Sequence, residues 1–124
     1  MKIKIQTIPH DKQRYPTAGD YWELGGTTYF TISELADERY EWLVLIHELV
    51  EYFIVKISGI AITHIDQFDM QFELERAPGN LDEPGDDPRS PYFMAHQVAS
   101  MVERICAFAF GVLWKDYEGA IYLL

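Results

Sequence analysis

Trp42-Leu43-Val44-Leu45-Ile46-His47-Glu48-Leu49-Val50-Glu51-Tyr52-Phe53-Ile54-Val55 places one histidine and two carboxylates inside an almost unbroken apolar run. A run this long is too long for a strand and too interrupted by charge for a membrane span, so it predicts a helix. The helix is expected from about Asp37 to Ile57 and to stop at Ser58-Gly59, with Gly59 as a left-handed cap. Apolar residues surround it on most sides, as in a helix at the centre of a domain. A buried carboxylate or imidazole without a partner costs several kcal/mol, so these groups should be paired or ligating. His47 and Glu51 are one turn apart and project together, with Glu48 at the edge of the same arc. The spacing is that of H-E-x-x-H, in which a helix presents two metal ligands and a general base, with Glu51 standing where the second histidine would be.

Upstream of the helix, residues 2–8 (Lys, Ile, Lys, Ile, Gln, Thr, Ile) alternate as an edge strand would, and Pro9 stops them. Residues 10–19 are polar, with Pro16 and Gly19, and are expected to be loop. Asp20–Leu24 and Thr27–Ile32 flank Gly25-Gly26, a two-residue hairpin turn. The first third, residues 1–33, is therefore expected to be a small antiparallel sheet of a strand plus a hairpin. Downstream, a second helix should start at Thr63, where Thr63 and Asp66 have capping-box spacing, and end before Pro78-Gly79. Residues 77–90 form an acidic loop. Ser90 and Pro91 then suit the cap and first turn of a third helix, about 91–110, ending at Gly111. Residues 112–124 should dock on the core as a short apolar segment. The expected fold class is α+β in one domain: a sheet, then a three-helix core spanning 37–111 with inward His and carboxylate groups.

Two further helices repeat the chemistry of the first. At about 100° per residue, Asp66, Asp69 and Glu73 fall within about 60° of one another, bordering the apolar face of Ile65, Phe68 and Phe72. Carboxylates so spaced repel unless a cation or water screens them. On the third helix His96 and Glu103, seven residues apart, nearly eclipse, with Ala99, Ser100 and Ala107 on the same face. Helical bundles build metal sites in this way, from inward His and carboxylate groups on several helices. The candidate ligands are His47, Glu51, Asp69, His96 and Glu103, the last as ligand or as acceptor holding a histidine tautomer. Glu48 is the candidate general base. His64, in a first helical turn, and His10, in a loop, rank lower. Glu83–Pro88 lacks calcium-loop spacing and suits turn chemistry, with a role as a lid over the site. Phosphate-cradling and serine-nucleophile motifs are absent.

At 124 residues with 48% hydrophobic and 15% aromatic content, the chain can bury a real core. Its net charge of −10 repels phosphate backbones and anionic lipid, which argues against nucleic-acid binding through a basic surface and against membrane association. The single Cys106 excludes an internal disulfide and a thiolate metal cluster. Met1–Ile5 alternates like a strand and is too short for a signal peptide, so a cytoplasmic location is expected.

Arg14-Tyr15-Pro16-Thr17 to Gly19-Asp20-Tyr21, His47–Glu51, Phe68-Asp69, Glu83–Tyr92 and His96 with Glu103 together resemble a family of small uncharacterised proteins carried by bacteriophages and prophages. That resemblance covers most of the chain and implies a phage or prophage origin with no assigned activity. Locally, a strand and hairpin followed by His47-Glu48 resemble a minimal zincin, in which a third, acidic ligand follows about where Asp69 or Glu73 lies. His47-Glu48 with Glu51 also resembles, less closely, the His-Asp core of metal-dependent phosphohydrolases. Two expectations follow. One is a divalent-metal protein acting as a zincin-like hydrolase, with Zn foremost and Mn, Fe or Ni as other occupants. The other is a non-enzymatic acidic protein that blocks a host protein, its His/acid cluster serving as a structural hydrogen-bond network.

Overall fold

The alternating Lys-Ile stretch near the N-terminus forms a strand, Ile3–Ile8 (β1), in the computed structural model, which describes residues 1–124. Gly19–Leu24 (β2) and Thr27–Ser33 (β3) form the hairpin, and both turn residues, Gly25 and Gly26, have positive φ (58° and 78°). A turn with both central residues in that region matches the twist of the strands it joins, and glycine enters it without steric cost. The hairpin is antiparallel, but β1 pairs with β3 in parallel, giving the order β1-β3-β2. This corrects the expectation of an all-antiparallel sheet. The cause lies in β3, whose Phe30 and Ile32 are almost wholly buried and which takes the central place. Residues 9–18 must then carry the chain across the end of β3 to reach β2. They are anchored there: Gln13 Nε2 donates to Thr31 O and Ser33 Oγ, and Ser33 N donates to Ala18 O. β1 is left as the exposed edge.

Four helices follow, so the fold is α+β. Helix α1 (Glu38–Ile57) begins where Asp37 accepts from Arg39 N and ends at Ser58, with Gly59 in the left-handed region (φ 72°). Replacing Gly59 by alanine is expected to cost about 1–2 kcal/mol through that φ alone; chemical denaturation checks it. Helix α2 (Ile62–Glu75) starts one residue before Thr63 with no side-chain cap. Thr63 is therefore inside the helix and cannot form the capping box, while Asp66 lies 3.6 Å from Arg14. Within the 77–90 loop, Pro84–Asp86 make one 3-10 turn, closed by a reciprocal Glu83/Asp86 capping box. Helix α3 (Phe93–Ala109) starts later than expected because Pro91-Tyr92 form a turn, with Ser90 Oγ accepting from Tyr92 N. The C-terminal segment is itself a helix, α4 (Trp114–Tyr122). None of the helices is long and apolar enough to cross a membrane.

Tyr21, Phe30 and Ile32 of the sheet pack with Leu43, Val44, Leu45 and Tyr52 of α1 as the main core, joined by Ala107, Val112 and Tyr117. A second cluster of Val55, Ile65, Tyr92 and Ala95 ties α2 and the start of α3 to the end of α1. The His/carboxylate groups lie between these two apolar regions. The α1/α3 packing fixes their geometry: Glu103 faces His47 and His96 faces Glu51, so the two helices run antiparallel.

Candidate metal centre

Three donor atoms converge at the α1/α3 seam. His47 Nε2 lies 3.1 Å from Glu51 Oε2 and 3.2 Å from His96 Nδ1, and His96 Nδ1 lies 2.9 Å from Glu51 Oε2. All three residues are buried, and together they could hold a metal ion. For ligand bonds of 2.0–2.1 Å, the edge of a coordination tetrahedron is about 3.3 Å, close to the triangle these atoms make.

The opposite nitrogen of each ring is also occupied. His47 Nδ1 faces Glu103 Oε2 at 3.2 Å, and His96 Nε2 faces Glu83 Oε2 at 3.2 Å and Asp86 Oδ1 at 3.3 Å. A carboxylate there takes the N–H of a neutral imidazole and leaves the other nitrogen's lone pair directed inward. Both inner nitrogens then present lone pairs to the Glu51 oxygen. Three acceptors this close suit a shared cation far better than one another. Without metal, protons supply that charge. Burial alone would lower the histidines, but Glu103 and Glu51 carry His47 well above its ordinary value. Glu51 and Glu83 likewise push His96 up to about 10 against its burial. Glu51 itself, despite burial, is drawn down to about 2 by the two rings.

Tyrosines hold the carboxylates. Tyr21 donates to Glu51 Oε1 at 2.9 Å, Tyr117 to Glu103 Oε1 at 3.0 Å, and Tyr92 to Asp69 Oδ1 at 2.7 Å. Each of these phenols is raised in pKa, by burial first and then by nearby carboxylates, so each stays a donor. Glycine makes room twice. A Cβ on Gly85 would collide with the His96 ring, so the 83–86 turn rests its backbone directly on that imidazole. A Cβ on Gly19 would lie 2.6 Å from Glu48 Cγ, so β2 and the Glu48 side chain are in close contact.

The triangle opens into a cavity of about 740 Å³, whose wall includes Tyr15, Glu48, Asp66 and Asp69. Glu48 reaches this cavity partly exposed, and burial followed by the Glu51 charge pushes its carboxyl well above the ordinary range.

Of the residues singled out from the sequence, His47, Glu51 and His96 meet as donors. Glu103 stands behind His47 as its acceptor, and Glu48 lines the cavity. Asp69 is buried on α2 but outside the three-atom group, its carboxyl raised to about 7 by burial against the Tyr92 hydrogen bond. Glu73 pairs with Arg76 at 2.8 Å. His64 is exposed, and His10 bonds Ser33 Oγ at 2.9 Å. Tyr21, Tyr92 and Tyr117 as carboxylate donors, and Glu83 and Asp86 of the lid-like loop as histidine partners, carry roles that the sequence does not signal. Known proteins add no parallel: no family model, no curated protein and no solved structure matches the chain.

Proposed function

We propose that this protein binds a divalent metal ion through His47, Glu51 and His96 and acts as a metal-dependent hydrolase. The observation that carries the reading is the orientation of the two histidines. Each has its outer nitrogen against a carboxylate and its inner nitrogen against the same Glu51 oxygen. Two imidazoles and one glutamate form a ligand set used by catalytic zinc, which leaves a fourth position for water or substrate, and Zn is the proposed occupant. The ion would contribute Lewis acidity and bring a bound water toward neutral pKa. Glu48 is assigned the proton transfers: its carboxyl shares the cavity with the triangle, and its raised pKa suits a group that both takes and returns a proton. Asp69 and Tyr15, on the same wall, are proposed to contact substrate.

The alternative, a closed network in a protein that only blocks a host partner, is favoured by the tyrosine–carboxylate pairs. It is disfavoured by the open cavity at the triangle. Glu48→Gln separates the two. It should keep metal binding, because Glu48 is not a ligand, and lower any hydrolysis by about 10²–10⁴-fold. Gly19→Ala should act in the same direction by displacing Glu48 while leaving all three ligands in place. Metal content by elemental analysis and turnover of a panel of ester, peptide and phosphodiester substrates are the measurements. Substoichiometric metal, unchanged by His47→Ala, would remove the enzyme reading.

A further inference from the structure

The faces of α1 and α3 turned away from the triangle are apolar along most of their length, with Arg39, paired to Asp37, at the N-terminal end of the α1 arc. On α1 the outward arc holds Trp42, Ile46, Val50, Phe53 and Ile57, while the ionisable residues His47, Glu48 and Glu51 point inward and Lys56 pairs with Glu23 of the sheet. On α3 it holds Met94, Val98, Met101, Ile105 and Phe108. Its charged residues lie elsewhere: His96 and Glu103 at the triangle, and Arg104 over the Trp114 ring at 4.3 Å. Seven of these side chains are between 53% and 89% exposed. α1 and α3 pack antiparallel, which places the two arcs on adjacent helices.

We infer that this surface is the interface of a homodimer, in which α1 and α3 of two copies form a four-helix layer. Area is the first argument. At about 200 Å² for a whole large side chain, the exposed portions amount to roughly 900 Å². That exceeds the roughly 300–600 Å² patch ordinary on a monomer and matches the roughly 800 Å² each partner contributes to a standard interface. Shape is the second. Two adjacent helices of similar length make a layer that a two-fold axis can place on its own copy, helix over helix, so a single patch is self-complementary. Charge is the third. The chain carries −10, so another copy can approach closely only where acidic groups are absent, and none of the residues named on the two arcs is acidic. The same charge repels anionic lipid, and the arcs lack the flanking Lys/Arg of helices that lie on membranes. A basic partner would be drawn to the acidic loop instead.

Sedimentation equilibrium of the full chain should give about twice the 14.4 kDa chain mass at micromolar concentration. Ile105→Glu with Phe108→Glu, both at exposed positions, should return the mass to that of one chain with unchanged far-UV circular dichroism. Leu24→Glu, an equally exposed apolar site at the hairpin tip, should leave the dimer intact. A single-chain mass for the unmodified protein at high micromolar concentration would overturn the inference. So would a dimer that survives the double substitution, or one that is lost with Leu24→Glu. Binding of the unmodified chain to neutral phosphatidylcholine vesicles, abolished by the same double substitution, would also overturn it and assign the face to lipid.

Discussion

Adding Zn to chelator-treated protein should raise its stability by roughly 3–4 kcal/mol at a hundred to a thousand times the dissociation constant. For a domain of this size that is a rise in melting temperature on the order of 10 °C. The gain is mass action: the ion binds the folded triangle and not the unfolded chain, where the donors lie 45 and 49 positions apart along the sequence. His47→Ala or His96→Ala should lose the rise, because each removes one of three donors. Glu48→Gln should keep it. Asp69→Asn should keep most of it, because Asp69 is bonded to Tyr92 outside the triangle. Differential scanning calorimetry with and without chelator is the measurement, and superimposable traces with every metal tried would defeat the metal reading.

The second large effect belongs to the metal-free protein. Glu51 sits between two imidazoles whose facing nitrogens are 3.2 Å apart, so Glu51→Ala removes the one carboxylate they share and leaves each ring only its outer acceptor, Glu103 or the Glu83/Asp86 pair. Breaking a buried ionic group in this way costs about 3–5 kcal/mol. Its pH dependence has a definite sign. In the unmodified protein His96 is raised to about 10 and Glu51 lowered to about 2. The histidine contribution is therefore complete below about pH 6.5 and is lost as pH rises through 10, while the glutamate contribution is complete above about pH 4.5 and is lost as pH falls through 2. Both are at full strength between about pH 4.5 and 6.5. In Glu51→Ala the histidines keep Glu103 and Glu83 but lose their common partner, so folding favours their protonation less and the stability gained toward acid is smaller than in the unmodified protein. The gap between the two proteins should widen from pH 8 to pH 6. Urea unfolding in chelator at both pH values reads this directly, and a gap that narrows toward acid would show that Glu51 is not the histidines' counter-charge.

The parts of this centre that follow from local periodicity were legible in the sequence. His47 with Glu51, four apart, and His96 with Glu103, seven apart, each define one helical face, and a buried charged face has to meet another. The apolar run of α1 and the Gly25-Gly26 turn also marked their elements correctly. What periodicity cannot convey is which faces meet. Asp69 has the same kind of spacing signal as Glu51, yet tertiary packing gives it Tyr92 as partner rather than the histidines. Tyr21 projects from a strand whose alternation says only that it is buried. Glu83 and Asp86 close their own 3-10 turn, so their role as acceptors for His96 is hidden behind an ordinary local one. The parallel pairing of β1 was beyond local reading for the same reason: it depends on β3 being the most buried strand and taking the middle, although its sequence is no more apolar than that of β1.

His96 is the proposed ligand whose outer nitrogen is held by a loop and not by a helix. Its inner nitrogen belongs to the helical triangle, while the outer one is held by side chains of the 83–86 turn that are about half exposed to solvent. Gly85 lies flat on the same ring. Lifting that turn would release the outer nitrogen and the face of the ring together, leaving the imidazole free to rotate out of the triangle. Under the proposed function, opening of this short turn would give the ion an exit route that does not require the α1/α3 seam to part. Affinity and exchange rate would be governed by different segments of the protein, and evolution or design could alter one without the other.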